Sequence, residues 1–178
     1  MISFILGGAR SGKSGLAEKI ASCSGLPVHY LATAQVWDDE MANRVRHHQT
    51  SRPAEWPTIE APLDILPVIK LRACDQKGCV LLDCLTLWMT NLLLLDDDQA
   101  LIKRQEDFLS FLRKGVDGHL ILVSNEVGQG VVPTNKLARR FVDESGRLHQ
   151  KIAEIADEVI FVTAGIPQIL KTKIDDHG

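Results

Sequence analysis

Long hydrophobic runs are missing from this 178-residue chain. No stretch approaches the roughly twenty consecutive apolar residues that cross a bilayer, and the first apolar segment is too short for a secretory signal. Positive charge is not in excess either: the formal net charge is −3, and aromatics make up 5% of residues. A nucleic-acid surface, which combines basic patches with stacking rings, is therefore not expected; the basic segment that ends at Arg52 is followed by one aromatic, Trp56. Cys23, Cys74, Cys79 and Cys84 form no C-x-x-C pair and are read as reduced thiols. Repeats and low-complexity segments are absent. What remains is 45% apolar and 24% charged residues at a length suited to one α/β domain. The expectation is a single domain over residues 1–178, in the cytoplasm and without a membrane span.

Directly after the apolar run Ile2-Ser3-Phe4-Ile5-Leu6 stands Gly7-Gly8-Ala9-Arg10-Ser11-Gly12-Lys13-Ser14, a full match to G-x-x-x-x-G-K-S. Glycines let backbone N–H groups converge on phosphate oxygens, Lys13 adds a point charge, and Ser14 adds a hydroxyl for Mg²⁺. The context fits the mechanism. A strand-length run precedes the loop, and Leu16, Ala17, Ile20 and Ala21 follow at the spacing of one helical face, so a helix from about Ser14 aims its positive end at the same anion.

Nearly continuous apolar runs recur at residues 27–33, 79–83, 119–124 and 158–163, the pattern of strands buried on both faces of a parallel sheet. Helical stripes lie between them, the clearest through Leu101, Ile102, Gln105, Phe108, Leu109 and Leu112 and through Leu137, Phe141, Leu148, Ile152 and Ile155. The class is α/β, with a mostly parallel central sheet flanked by helices. Ligands of such sheets sit beyond the C-terminal strand ends, which directs attention to Gly7–Ser14, Ala32-Thr33-Ala34, Asp83 to Thr86, and Asn125-Glu126-Val127-Gly128. The polar tail from about Lys171 is expected to fray.

Val80-Leu81-Leu82-Asp83 is an apolar strand ending in a carboxylate, which suits an acid beside the Mg²⁺ of a phosphate loop; the competing role is a cap on the following helix. Residues 37–53 carry acids first and bases last, ending Arg44-Val45-Arg46-His47-His48-Gln49-Thr50-Ser51-Arg52-Pro53. That order complements a helix dipole, and a histidine there either serves the dipole alone or acts as a nucleophile near neutral pH.

The loop, Tyr30-Leu31-Ala32-Thr33-Ala34, Asp38-Asp39-Glu40-Met41, Arg44 to His48, Arg52-Pro53-Ala54-Glu55-Trp56, Glu60, Leu82-Asp83-Cys84-Leu85-Thr86, Asn91-Leu92, Val123 to Gly128, and Val131-Val132-Pro133 through Gly146-Arg147 follow one family in order. The chain resembles the bifunctional adenosylcobinamide kinase/adenosylcobinamide-phosphate guanylyltransferases of cobalamin biosynthesis, from residue 2 to about residue 170. The resemblance implies a RecA-like P-loop fold, a homotrimer, and two reactions. ATP or GTP phosphorylates the aminopropanol hydroxyl of adenosylcobinamide; GTP then passes GMP through a histidine to the new phosphate, releasing pyrophosphate. The family's R-I-x-x-H-[RK] pattern places that histidine at His48, with His47 the competitor and Gln49 replacing the usual basic residue. It further implies nucleotide or metal contacts at Ala32, Thr33, Ala34, Gln49, Thr50, Ser51, Arg52, Glu60 and Asp83.

Two rivals stay open on the residues alone. A plain small-molecule kinase would use the same loop without a nucleophilic histidine. A regulatory GTP switch is disfavoured, because Thr134-Asn135-Lys136-Leu137 lacks the carboxylate of an N-K-x-D guanine reader and Asp143-Glu144-Ser145-Gly146 comes after it, on a helical stripe.

Overall fold

The computed structural model describes residues 1–35 and 53–173. The apolar runs form β1 (Ile2–Gly7), β2 (Val28–Ala32), β4 (Cys79–Asp83), β5 (His119–Asn125) and β6 (Glu158–Thr163). Two edge strands complete the sheet, β3 (Thr58–Glu60) and β7 (Ile166–Thr172). The order is β3-β2-β4-β5-β1-β6-β7, parallel throughout except for the β6/β7 hairpin. One strand, β5, thus separates the strand that enters the phosphate loop from the strand that ends in Asp83. Two strand spacings amount to about 10 Å, a distance that the phosphates of one nucleotide bridge.

Side chains alternate across the sheet as period two requires. From β5, Leu120 and Leu122 join one core and Ile121 and Val123 the other; from β1, Phe4 and Leu6 oppose Ile5. Helix α1 (Lys13–Cys23) covers the second face with Ala17 and Ala21. The first face is covered by α2 (Ile65–Ile69, widening into a π turn at Lys70–Asp75), α3 (Leu85–Leu94), α4 (Asp98–Arg113) and α5 (Lys136–Ile155). Capping chemistry explains two of the starts. Asp97 accepts the N–H groups of Gln99 and Ala100 at 3.0 Å each, and Asn135 accepts that of Ala138 at 3.1 Å. Asn135 therefore belongs to a helix cap, and Asp143-Glu144-Ser145-Gly146 lies inside α5, so neither segment builds a guanine-reading or switch loop.

Helix α3 is apolar nearly all round and buried accordingly. Trp88 is its largest side chain; it meets Phe108 edge-on at 5.4 Å and donates its indole N–H to Leu63 O at 2.9 Å, so no polar atom of the ring is wasted in the core.

The opposite, N-terminal end of the sheet holds a separate polar network. Ser3 Oγ bonds His119 Nε2 at 2.9 Å and Glu158 Oε2 at 3.2 Å, Asp157 accepts the Ile2 N–H at 2.8 Å, and the terminal ammonium donates to Gly118 O at 2.8 Å. Burial, with the terminal ammonium, lowers the His119 pKa against the opposing pull of Asp157. Burial also lowers His29, helped by Arg72, and lowers His149 against Glu126. A folded protein that keeps these imidazoles neutral binds fewer protons than the unfolded chain once pH drops below about 6.5. Their contribution is complete above that value and is lost as pH falls through the folded pKa values. The urea midpoint is therefore expected to drop between pH 7 and pH 5.5; a flat midpoint across that window would show the imidazoles free to charge in the folded state.

Candidate active site

The loop between β1 and α1 is shaped by backbone conformations that the sequence permits. Gly12 sits at φ 96° and Arg10 at φ 56°, both left-handed, a combination that turns successive N–H groups toward one point. Gly7 is required for space: a Cβ there would lie 2.5 Å from both Ser11 Oγ and Val162 O. A Cβ on Gly12 would come 3.1 Å from Gly165 Cα, because the turn of the β6/β7 hairpin braces the loop, Gly165 N–H donating to Ser11 O at 2.8 Å. Helix α1 starts at Lys13, with no capping side chain and no acidic residue in its first turn. Its free N–H groups and positive dipole end are left for an anion.

Lys13 is buried, and its ammonium donates to Gly8 O at 3.1 Å, folded into the loop. Its charge is felt at Cys84, just past the tip of β4. The buried Cys84 thiol is pushed up to about 11, by its burial first and then by the Asp83 charge, with the Thr86 and Leu87 hydrogen bonds and the Lys13 ammonium pulling the other way. Lys13 and Asp83 thus act on one sulfur, and that sulfur stays a protonated, unreactive thiol. All four cysteines are free.

Asp83 closes β4 half-buried, and it does not cap α3: the cap position is Cys84. Its carboxylate and the Ser14 hydroxyl are hard oxygen donors of the kind Mg²⁺ takes. No group of three or more His, Cys, Asp or Glu side chains suited to a metal occurs among the described residues. Two such donors suit an ion that nucleotide phosphates would chiefly hold, with Ser14 and Asp83 as its protein partners.

The neighbouring strand tips are stapled together. Thr33 is fully buried; its Oγ1 donates to Cys84 O at 2.7 Å and accepts the Cys84 N–H at 3.1 Å. Asn91, buried on α3, donates to Thr33 O at 2.8 Å and to Pro62 O at 2.9 Å, joining the ends of β2 and β3. Asn125 donates to Thr86 Oγ1 at 3.0 Å, which joins β5 to the start of α3. In register, Ala32 lies beside Asp83 on one side and Glu60 on the other.

Among the sequence-predicted site residues, Gly7 to Ser14, Ala32 to Ala34, Glu60 and Asp83 thus line one edge of the sheet. The Thr33 hydroxyl is spent on the Cys84 peptide, so this residue positions the β4 tip and has only its backbone left for a nucleotide. His47, His48, Gln49, Thr50, Ser51 and Arg52 lie outside the described residues, as does the whole expected helix that bears them. Sequence reasoning had assigned no role to Thr86, Asn91 or Asn125. Their signal was a polar side chain within or beside an apolar element, which burial obliges to find a partner.

Comparison with known proteins decides the assignment. The family model for cobinamide kinase / cobinamide phosphate guanyltransferase matches residues 3–170. The chain belongs to that family. It is 53% identical over 171 residues to the bifunctional adenosylcobalamin biosynthesis protein CobP of Pseudomonas aeruginosa, covering 96% of this chain and 98% of that one. To the CobU protein of Salmonella typhimurium it is 41% identical over 180 residues, covering 93% and 97%. Among solved structures, a Pyrococcus horikoshii protein superposes with a TM-score of 0.58 at 11% identity, over 98% of this chain and 88% of that one. The flagellar accessory protein FlaH of Methanocaldococcus jannaschii gives 0.51 at 15% identity, over 96% and 78%. These two likenesses are of fold. Like its family, the chain is a bifunctional enzyme of cobalamin biosynthesis, a cobinamide kinase and cobinamide phosphate guanylyltransferase.

Proposed function

We propose that this single-domain enzyme performs both transfers at one phosphate loop: the γ-phosphoryl group of ATP or GTP to the aminopropanol hydroxyl of adenosylcobinamide, then GMP from GTP to the resulting phosphate by way of His48. The observation that carries it is the placement of Lys13 and Ser14 across one strand from Asp83, a site made to hold a triphosphate and neutralise it. Mg²⁺ at Ser14 and Asp83 would offset charge on the transferred groups. Guanylyl transfer would take two displacements at the α-phosphorus, onto the imidazole and off it, and the P–N bond between them retains the transfer potential of the nucleotide. Cytoplasmic location and a homotrimer complete the reading; no helix among the described residues is long and apolar enough to cross a membrane.

The test is to incubate the purified chain with Mg²⁺ and GTP labelled in its α-phosphate. An acid-labile label on the protein is expected, chased into product when cobinamide phosphate is added. Active enzyme that never carries the label would sink the covalent route and leave direct transfer.

A further inference from the structure

Glu126 has no part in the reading above, yet it stands at the loop. It follows Asn125 at the tip of β5, the strand between those of the loop and of Asp83. Register pairs Gly7 with Asn125 and Asp83 with Val123, so Glu126 lies one residue past the level of Gly7 and three past that of Asp83. Its N–H donates to Gly7 O at 3.0 Å, one peptide unit from the Gly8 carbonyl that holds Lys13. Two further groups flank the carboxylate, one of them within hydrogen-bond reach. Oε1 accepts the Gly128 N–H at 2.6 Å, and Oε2 stands 3.9 Å from His149 Nδ1. Behind it the His149 ring is buried, packed 5.6 Å from Phe4, with Nε2 bonded to Ser124 Oγ at 2.8 Å.

Among the described residues, His149 is the only cationic partner within ion-pair distance of Glu126, and burial keeps that imidazole neutral near pH 7. The carboxylate charge is thus not spent on a lysine or arginine there. A carboxylate at the tip of the strand beside the loop, with no described lysine or arginine on it, can accept a proton from a substrate hydroxyl.

We infer that Glu126 is the proton acceptor for the substrate hydroxyl in the kinase step, with His149 and Ser124 as positioning residues. The inference rests on the kinase reading above. The hydroxyl oxygen bonds to the γ-phosphorus, the bond from that phosphorus to the β,γ-bridging oxygen breaks, the nucleoside diphosphate leaves, and the hydroxyl proton moves to Glu126 Oε2 and on to solvent. Guanylyl transfer has no such proton to remove, since its acceptor is a phosphate anion.

The two half-reactions separate this role from others. Full-length enzyme with Mg²⁺ and GTP or ATP is given cobinamide in one assay; in the other, GTP and cobinamide phosphate are supplied directly. Glu126→Gln is expected to lower the kinase kcat by about 100-fold, the low end for general-base loss because phosphoryl transfer proceeds through a loose transition state. Nucleotide KM and guanylyl transfer are expected to change less than about threefold. Glu126→Asp should recover part of the rate. His149→Gln should lower the same kcat by roughly tenfold or more, since displacement of a reacting group by about 1 Å can cost up to about 100-fold. An unchanged kinase kcat in Glu126→Gln overturns the inference, as does an equal loss in both half-reactions, which would mark a structural or nucleotide-binding role. An unchanged rate in His149→Gln overturns the positioning part. Wild-type enzyme that leaves cobinamide unphosphorylated would overturn the kinase reading itself.

Discussion

Alanine in place of His48 is expected to abolish the acid-labile label that GTP leaves on the protein and to slow guanylyl transfer by at least about a thousandfold, the scale seen when a covalent nucleophile is removed. Imidazole is the one side-chain type in the Arg44–Arg52 segment with an unprotonated nucleophilic nitrogen near neutral pH, its ordinary pKa being about 6.5. Arginines beside it stay protonated and can only attract the nucleotide. Alanine leaves water as the alternative acceptor, and GMP released to water is a different product, detectable by chromatography. Phosphorylation of cobinamide should continue in this variant, because that step needs no nucleophilic side chain. Labelling lost in His47→Ala and kept in His48→Ala would move the nucleophile by one residue and leave the two-step scheme standing. A label that survives both substitutions would end the histidine route.

Lys13→Ala should differ by damaging both reactions together. The ammonium is buried in the loop, hydrogen-bonded to Gly8 O, and close enough to act on the Cys84 thiol. Loss of one preorganised donor aimed at developing charge typically costs about 100- to 1,000-fold, or roughly 3 to 4 kcal/mol. That range is expected for kcat/KM of each half-reaction, with the far-UV circular dichroism of the wild type, since a solvent-reached carbonyl replaces the lost bond at Gly8. Matching losses would mean that one loop serves both steps. A variant impaired in only one would mean that the two triphosphates bind at different places.

The sequence made the loop and the buried strands legible because each announces itself locally: a motif in one case, an apolar run of strand length in the other. Strands β4 and β6 occupy residues 79–83 and 158–163 as read, and β1 and β5 run one residue longer. The two edge strands carried no such signal. Thr58-Ile59-Glu60 is three residues long, and Ile166–Thr172 holds a proline and faces solvent along most of its length. An edge strand tolerates Pro167 because it needs partners on one side only. The tail is therefore ordered further than polarity suggested: β7 reaches Thr172, and Lys171 donates to Ala153 O at 3.0 Å and Glu154 O at 2.7 Å, satisfying carbonyls at the end of α5. Helix α3 was legible only as the helix following Asp83, being too uniformly apolar to show a period.

Legibility of the site divides along the same line. Charged and glycine-rich residues that meet phosphate are chemically conspicuous, and Gly7 to Ser14 and Asp83 could be named from type and position. Thr33, Thr86, Asn91 and Asn125 hold peptides and one another, and such partnerships join residues up to 58 positions apart that only the folded sheet brings together. Glu126 belongs to both groups, since its strand-end position was visible while the imidazole behind it was not.

The hydrogen bond from Gly165 to Ser11 has a consequence for the order of assembly. Translation delivers the phosphate loop well before residue 165, yet one of its braces is the turn of the β6/β7 hairpin. A ribosome-bound chain that has not yet exposed residue 165 already carries the whole GKS motif without the contact that fixes its backbone. The backbone of the loop accordingly lacks this brace in a growing chain until the β6/β7 turn has been made.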